Sequence, residues 1–180
     1  MRLTGTGLPD VVLIEPQVFS DNRGYFYESF NQQKFCESIR RDLSFVQDNQ
    51  SFSRKGVVRG LHYQLPPKGQ GKLVRVVAGE IFDVAVDIRK NSPHFGRWTG
   101  EILSADNKKQ LWIPEGFAHG FQVISDTAEV LYKTTDYWSA PHERSIRWDD
   151  PQIAIAWPMK EIPLISDKDR SAPSLHQAEF

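Results

Sequence analysis

Apolar and polar residues alternate along most of this chain in runs of a few residues, the period of half-buried strands rather than of helices. Val11-Val12-Leu13-Ile14-Glu15 and Gly24-Tyr25-Phe26-Tyr27-Glu28-Ser29-Phe30 read as strands, separated by the turn formers Ser20-Asp21-Asn22. Between Asn31 and Arg41 the period changes. Asn31 is a capping residue, and Phe35, Ile39 and Leu43 recur at spacing four, which predicts a short amphipathic helix. Strand-like runs then return at Phe45–Phe52, Val57–Gln64, Lys72–Val77, Ile81–Ile88, Trp98–Leu103, Gln110–Ile113, Phe117–Ile124 and Ala128–Tyr137. Turn signals divide them, among them Ala78-Gly79-Glu80, Asn91-Ser92-Pro93 and Pro114-Glu115-Gly116. Many short strands at roughly 8 to 12 residue spacing predict an antiparallel, mainly-β sandwich or barrel and exclude the parallel α/β classes.

Within Ile81–Ile88, residues Phe82, Val84, Val86 and Ile88 share one face, which the pattern assigns to the core. Asp83 and Asp87 fall on the other face with Ile81 and Ala85, towards solvent or a polar cavity of the kind a jelly roll encloses. After Pro151 the chain is irregular and punctuated by Pro158, Pro163 and Pro173, as expected of a tail that wraps the barrel. With 180 residues, no repeat and no linker, a single domain over residues 1–180 is expected.

Composition narrows the function classes. A formal net charge of -1 argues against a nucleic-acid partner, which normally meets a basic face. A single cysteine, Cys36, rules out an intrachain disulfide and a multi-cysteine metal site and fits a reducing compartment. Residues 1–10 contain no apolar run of signal-peptide length, and no stretch of about 18 apolar residues occurs anywhere, so a cytoplasmic protein without membrane partners is expected.

The chemistry concentrates in two stretches. Arg59-Gly60-Leu61-His62-Tyr63-Gln64 sets a cation and an imidazole three residues apart. In an extended strand Arg59 would face away from His62, and Gly60 would share the histidine's face and leave open space beside it for a ligand. Alone, His62 reads more readily as a hydrogen-bonded core histidine than as a functional one. In Leu111-Trp112-Ile113-Pro114-Glu115-Gly116-Phe117-Ala118-His119-Gly120 a strand ends at a Pro-x-Gly turn and the next begins with a histidine, which places His119 at the mouth of the barrel. Pro-x-Gly-x-x-His is similar to the second motif of the cupin barrels. The His-x-His pair of the first cupin motif is missing at His62-Tyr63-Gln64, too few ligands for a first-row metal, so no metal is expected.

A more specific resemblance runs in order from Pro16 to Asp169. Arg59–Gln64, Gln70–Arg75, Gly79–Asp87, Leu111–Phe121, Tyr132–Trp138 and Ser166-Asp167-Lys168-Asp169 closely resemble the dTDP-4-dehydrorhamnose 3,5-epimerases. The resemblance implies a cupin jelly roll, a homodimer packed through its N-terminal strands, no cofactor, and a dTDP-4-keto-6-deoxysugar substrate inverted at C3 and C5. It implies His62 as base, Asp169 as its partner, Lys72 as stabiliser of the C4 oxyanion and Tyr132 as general acid. It places Arg59 and His119 on diphosphate and sugar, Trp138 against thymine, and Arg23, Phe26, Glu28, Gln47, Asn49, Glu143 and Lys168 among the remaining substrate contacts, with Arg23 and Glu28 reaching over from the partner subunit. Without the resemblance, Asp169 reads as an exposed tail aspartate and Lys72 as a strand-end surface lysine, while Tyr132 reads equally as a cross-strand packing aromatic. Rival readings are an epimerase acting at C3 or C5 only, a sugar-binding cupin without activity, and a metal-dependent cupin.

Overall fold

The computed structural model describes residues 1–159 and 161–180. Two antiparallel sheets face each other. The larger has six strands: β1 (Arg2–Gly5), β2 (Val12–Glu15), β5 (Gln47–Arg54), β7 (Lys72–Ala78), β10 (Gln110–Ile113) and β12 (Thr127–Thr134), ordered β1-β2-β10-β7-β12-β5. The smaller has five: β6 (Val58–Gln64), β8 (Glu80–Asp87), β9 (Trp98–Ser104), β11 (Phe117–Val123) and β13 (Glu143–Ser145), ordered β13-β6-β11-β8-β9. A separate hairpin joins β3 (Phe19–Asp21) to β4 (Gly24–Phe26). The helices are α1 (Gln32–Ile39) and the short α2 (Asp167–Arg170). Hydrogen-bonded neighbours in each sheet are mostly non-consecutive in sequence, the crossing pattern of a jelly roll.

Alternation explains the layers. Leu13, Val74, Val76, Leu111, Ile113 and Val130 from the larger sheet meet Ile81, Ala85, Phe117, Phe121 and Val123 from the smaller one in a buried cluster between the sheets. The opposite face of the smaller sheet is covered too: Val58, Val84, Val86 and Ala118 lie under Ile146, Ile153, Trp157 and Leu175. Both faces of β8 are therefore interior, a correction to the reading that only the face of Phe82, Val84, Val86 and Ile88 is core. Asp83 and Asp87 are completely buried. The outer face of the larger sheet, Ile14, Leu73 and Trp112, packs on Phe35 of α1, with Phe30 and Phe45 in edge-on aromatic contacts. Helix α1 starts where Asn31 predicts, its side chain accepting from the Lys34 N–H at 3.1 Å.

The strand expected over Gly24–Phe30 is shorter, because Phe30 leaves the hairpin to join that aromatic cluster and only Gly24–Phe26 pair. The run expected over Ala128–Tyr137 pairs only to Thr134, and Thr135–Tyr137 turn away.

Candidate active site

The most consequential local feature is a bulge in β6. His62 pairs with His119 and Arg59 with Phe121, so three residue steps on β6 match two on β11. The extra residue reverses the alternation. Arg59 and His62, expected on opposite faces, both line the same cavity. Gly60 makes this possible with φ +125°, and an added Cβ there would lie 2.6 Å from the Gly120 Cα and 2.8 Å from the His119 carbonyl oxygen. The space beside Gly60 is thus filled by β11 backbone, not open to a ligand.

The cavity, of about 270 Å³, lies between the sheets at one end and draws on both. The smaller sheet contributes Arg59, His62, His119 and Glu143, and the larger contributes Gln47, Asn49, Lys72 and Tyr132. Trp138, more than half exposed, stands at the edge. Its backbone is held from both sheets: Gln47 Oε1 accepts from Trp138 N at 2.9 Å, and Gln64 Oε1 accepts from Ser139 N at 2.7 Å.

His62 Nε2 lies 2.6 Å from Asp169 Oδ1. Asp169 is buried, contrary to its reading as an exposed tail residue, because Ser166 caps α2 by accepting from the Asp169 N–H at 3.1 Å and turns the carboxylate inward. Burial raises the Asp169 pKa, but the His62 hydrogen bond and charge, the Gly60 N–H and Ser166 outweigh it and hold the carboxyl below its ordinary value. With Nε2 engaged, Nδ1 is the His62 nitrogen left for a ligand.

Lys72 is buried rather than a surface lysine, and its Nζ donates to the His62 carbonyl at 3.1 Å. Burial lowers its pKa to about 8, against the pull of Asp83 and Glu143. His119 is buried in mid-strand, well inside the cavity instead of at its mouth, with Nε2 2.7 Å from Asp83 Oδ1. Its burial, reinforced by the charges of Lys72 and His62, depresses the imidazole pKa in spite of Asp83. The Tyr132 phenol is raised by burial and stays protonated at neutral pH. Arg59 reaches across to β5, its Nε donating to Ser53 Oγ at 2.9 Å.

Lys168 lies in an adjoining cleft with Arg59, His62 and Asp169, and pairs with Glu143 at 2.6 Å. Arg23, Phe26 and Glu28 are apart from this cavity. Arg23 is exposed and bonds Asp21, Phe26 is exposed on the hairpin, and Glu28 pairs with Lys34. Asp83, Gln64, Gln70 and Ser51 are site residues that sequence reasoning left out; for Asp83 the alternation in β8 was a usable signal. Both histidines commit Nε2 to a carboxylate, and among the described residues no group of three or more His, Cys, Asp or Glu side chains is arranged to hold a metal.

A jelly roll whose cavity gathers a histidine–carboxylate pair from one sheet and a half-buried phenol and a buried amine from the other defines an enzyme that moves protons on a small ligand. The chain belongs to the dTDP-4-dehydrorhamnose 3,5-epimerase family, whose model matches residues 5–177, and it is an isomerase. It is 59% identical over 178 residues to the dTDP-4-dehydrorhamnose 3,5-epimerase of Salmonella typhimurium, covering 99% of this chain and 97% of that one. The Pseudomonas aeruginosa enzyme of the same name is 56% identical over 99% of this chain and 98% of its own. The crystal structure of the Legionella pneumophila dTDP-6-deoxy-D-glucose-3,5-epimerase in complex with dTDP-4-keto-L-rhamnose superimposes with a TM-score of 0.95 at 52% identity, covering 98% of this chain and 93% of that one. A dTDP-4-dehydrorhamnose 3-epimerase of Streptomyces niveus is more distant, 39% identical over 99% of this chain and 86% of its own. No helix among the described residues is long and apolar enough to cross a membrane.

Proposed function

We infer that the protein converts dTDP-4-dehydro-6-deoxy-D-glucose to dTDP-4-dehydro-L-rhamnose by inverting C3 and C5, a step of dTDP-L-rhamnose biosynthesis. The observation that carries the mechanism is the placement of His62, backed by Asp169 at 2.6 Å, on one sheet and Tyr132 on the other, with Lys72 in the same cavity. C3 and C5 both adjoin the C4 ketone. Removal of either proton sends the bonding electrons to the C4 oxygen as an enolate. His62 Nδ1 takes the proton, and Asp169 stabilises the imidazolium that results. Lys72, a compact cation in a desolvated site, stabilises the oxyanion. Tyr132 delivers a proton to the opposite face of the same carbon as the electrons return, which completes the inversion. Solvent then reprotonates the phenolate and deprotonates the imidazolium.

Arg59, His119, Gln47, Asn49, Glu143 and Lys168 bind the diphosphate and sugar, and the exposed Trp138 indole stacks on thymine. The protein acts as a homodimer without metal or organic cofactor. The exposed aromatic hairpin, Phe19, Tyr25 and Phe26, packs on the second subunit, and Arg23, Phe26 and Glu28 complete the partner's site. Turnover in deuterium oxide tests the reaction. Label at both C3 and C5 supports it, label at C3 alone reassigns the protein to single epimerisation, and label at neither refutes it.

A further inference from the structure

Asp83 lies fully buried behind His119, which lines the cavity, and among the described residues no lysine or arginine is bonded to it. Its side chain has no solvent exposure, its Oδ1 is 2.7 Å from His119 Nε2, and its Oδ2 is buried without a hydrogen-bond partner. An anion so placed is costly unless a cation compensates it. His119 is not that cation, because burial holds it neutral. Lys72 is: one of its three N–H groups goes to the His62 carbonyl, and the nearby Asp83 charge favours its protonated form. The groups facing Lys72 come from five strands: His62 on β6, Asp83 on β8, His119 on β11, Tyr132 on β12 and Glu143 on β13. Only Asp83 and Glu143 are anionic, and Glu143 already pairs with Lys168 at 2.6 Å at the partly exposed rim.

We propose that Asp83 is a positioning residue that keeps Lys72 charged for the developing C4 oxyanion and, by accepting the His119 Nε2 proton, turns the His119 Nδ1 lone pair towards the bound sugar. The proposal rests on the reading of Lys72 as the oxyanion stabiliser. A carboxylate only accepts hydrogen bonds, so a neutral His119 bound to it through Nε2 must carry its proton there. Nδ1 is then an acceptor and suits a sugar hydroxyl, not a phosphate or ketone oxygen. Asp83 thus assigns opposite polarities to two neighbours: donor for Lys72, acceptor for His119.

The test is the pH dependence of kcat in the parent, Asp83→Asn and Lys72→Met. The Asn oxygen still accepts from His119, so only the charge is removed. The parent profile falls above a pH of about 8, where Lys72 loses its proton. Asp83→Asn moves that fall to lower pH by about one unit or more. The loss relative to the parent is therefore smallest near pH 6 and, for a one-unit move, grows about fivefold by pH 8 and about tenfold by pH 9. In Lys72→Met the fall is absent and the rate is low throughout. An unmoved fall in Asp83→Asn, with the fall abolished in Lys72→Met, overturns the proposal and leaves the role of Lys72 standing. A parent-like rate and profile in Lys72→Met refutes the role of Lys72 and the proposal with it. If Asp83→Asn does not fold, Asp83→Ser, which leaves room for a water, takes its place. Titration of the Lys72 Cε resonance by 13C NMR in Asp83→Ser must show the same downward move, and a resonance titrating as in the parent overturns the proposal.

Discussion

Replacing Lys72 with methionine should stabilise the protein while removing most of its activity. In the folded chain the burial of Lys72 lowers its pKa from 10.5 to about 8. At neutral pH the amine is charged in both states, so the fall corresponds to about 3 kcal/mol by which the buried charge opposes folding. Methionine fills a similar volume without charge; because the pKa of about 8 already includes the attraction of Asp83 and Glu143, losing the charge removes this net penalty even after Asp83 gives up its cation. Against this, the His62 carbonyl loses the Nζ hydrogen bond, which costs about 1 kcal/mol. The net gain is about 2 kcal/mol, a rise in Tm of about 4 to 8 °C for a chain of this length.

The sign of the pH dependence is fixed by the two values. The penalty is full below the folded pKa of about 8 and disappears above the unfolded 10.5, because in that window the unfolded chain holds the proton that the folded chain has lost. The advantage of methionine should therefore be nearly constant from pH 6 to 7.5, vanish near pH 10 and turn into a deficit of about 1 kcal/mol by pH 11, the lost hydrogen bond. Thermal or urea unfolding of both proteins across that range is the assay. Turnover should fall by about 10² to 10³, the usual cost of one oxyanion donor. A variant less stable than the parent at pH 7, or a stability difference independent of pH, would show that Lys72 is not held as a penalised charge, and the reasoning would fail.

Asp169→Asn should lower kcat by up to about 10⁴ with little change in KM, as for other histidine–carboxylate pairs; a rise in KM alone would make Asp169 a binding contact. Tyr132→Phe should slow inversion by about 10² to 10⁴ yet still exchange solvent deuterium into substrate with retained configuration, read by NMR; full inversion at the parent rate would assign the acid elsewhere. Exhaustive chelation should leave turnover intact, and loss restored by one divalent ion would overturn the metal-free mechanism. Gly60→Ala should destabilise the fold by about 3 kcal/mol in urea titrations, because its Cβ would meet β11 backbone at 2.6 Å on a residue with φ +125°.

How far the chain could be read in advance depended on what each element relies on. Strands with a buried face, such as β8, β10 and β11, announce themselves by period, and the structure places them within a residue of where the pattern does. Strand β13 and helix α2 were missed because neither owes its place to its own periodicity. Glu143–Ser145 pair along the edge of β6, and α2 is set by the Ser166 cap and the packing of the tail. The phase error at Arg59 and His62 has the same origin. A strand pattern assumes unbroken alternation, while the bulge follows from the close approach of Gly60 to Gly120, residues distant in sequence that no period connects. The site divides likewise. The histidines were visible in motifs, but Asp169 and Lys168 had no local signal beyond the family resemblance, and the burial of Lys72 became evident only with the opposing sheet in place.

That opposing sheet also bears on why this fold suits the reaction. Inversion at carbon requires a base on one face and an acid on the other, and two groups on one strand of a single sheet would approach the same face. Here His62 belongs to the smaller sheet and Tyr132 to the larger, so a sugar ring held between the sheets has one on each side. Lys72 departs from the larger sheet but bonds the His62 backbone on the smaller, which ties the cation to the strand that carries the base. The bulge brings Arg59 to the same side as His62, so in the proposed mechanism an anion bound by the guanidinium and the carbon whose proton the imidazole takes would be set by one short stretch of β6. Binding of the remote diphosphate there would fix the reacting carbon relative to the base, and an interaction made away from the chemistry would lower its barrier through position rather than contact.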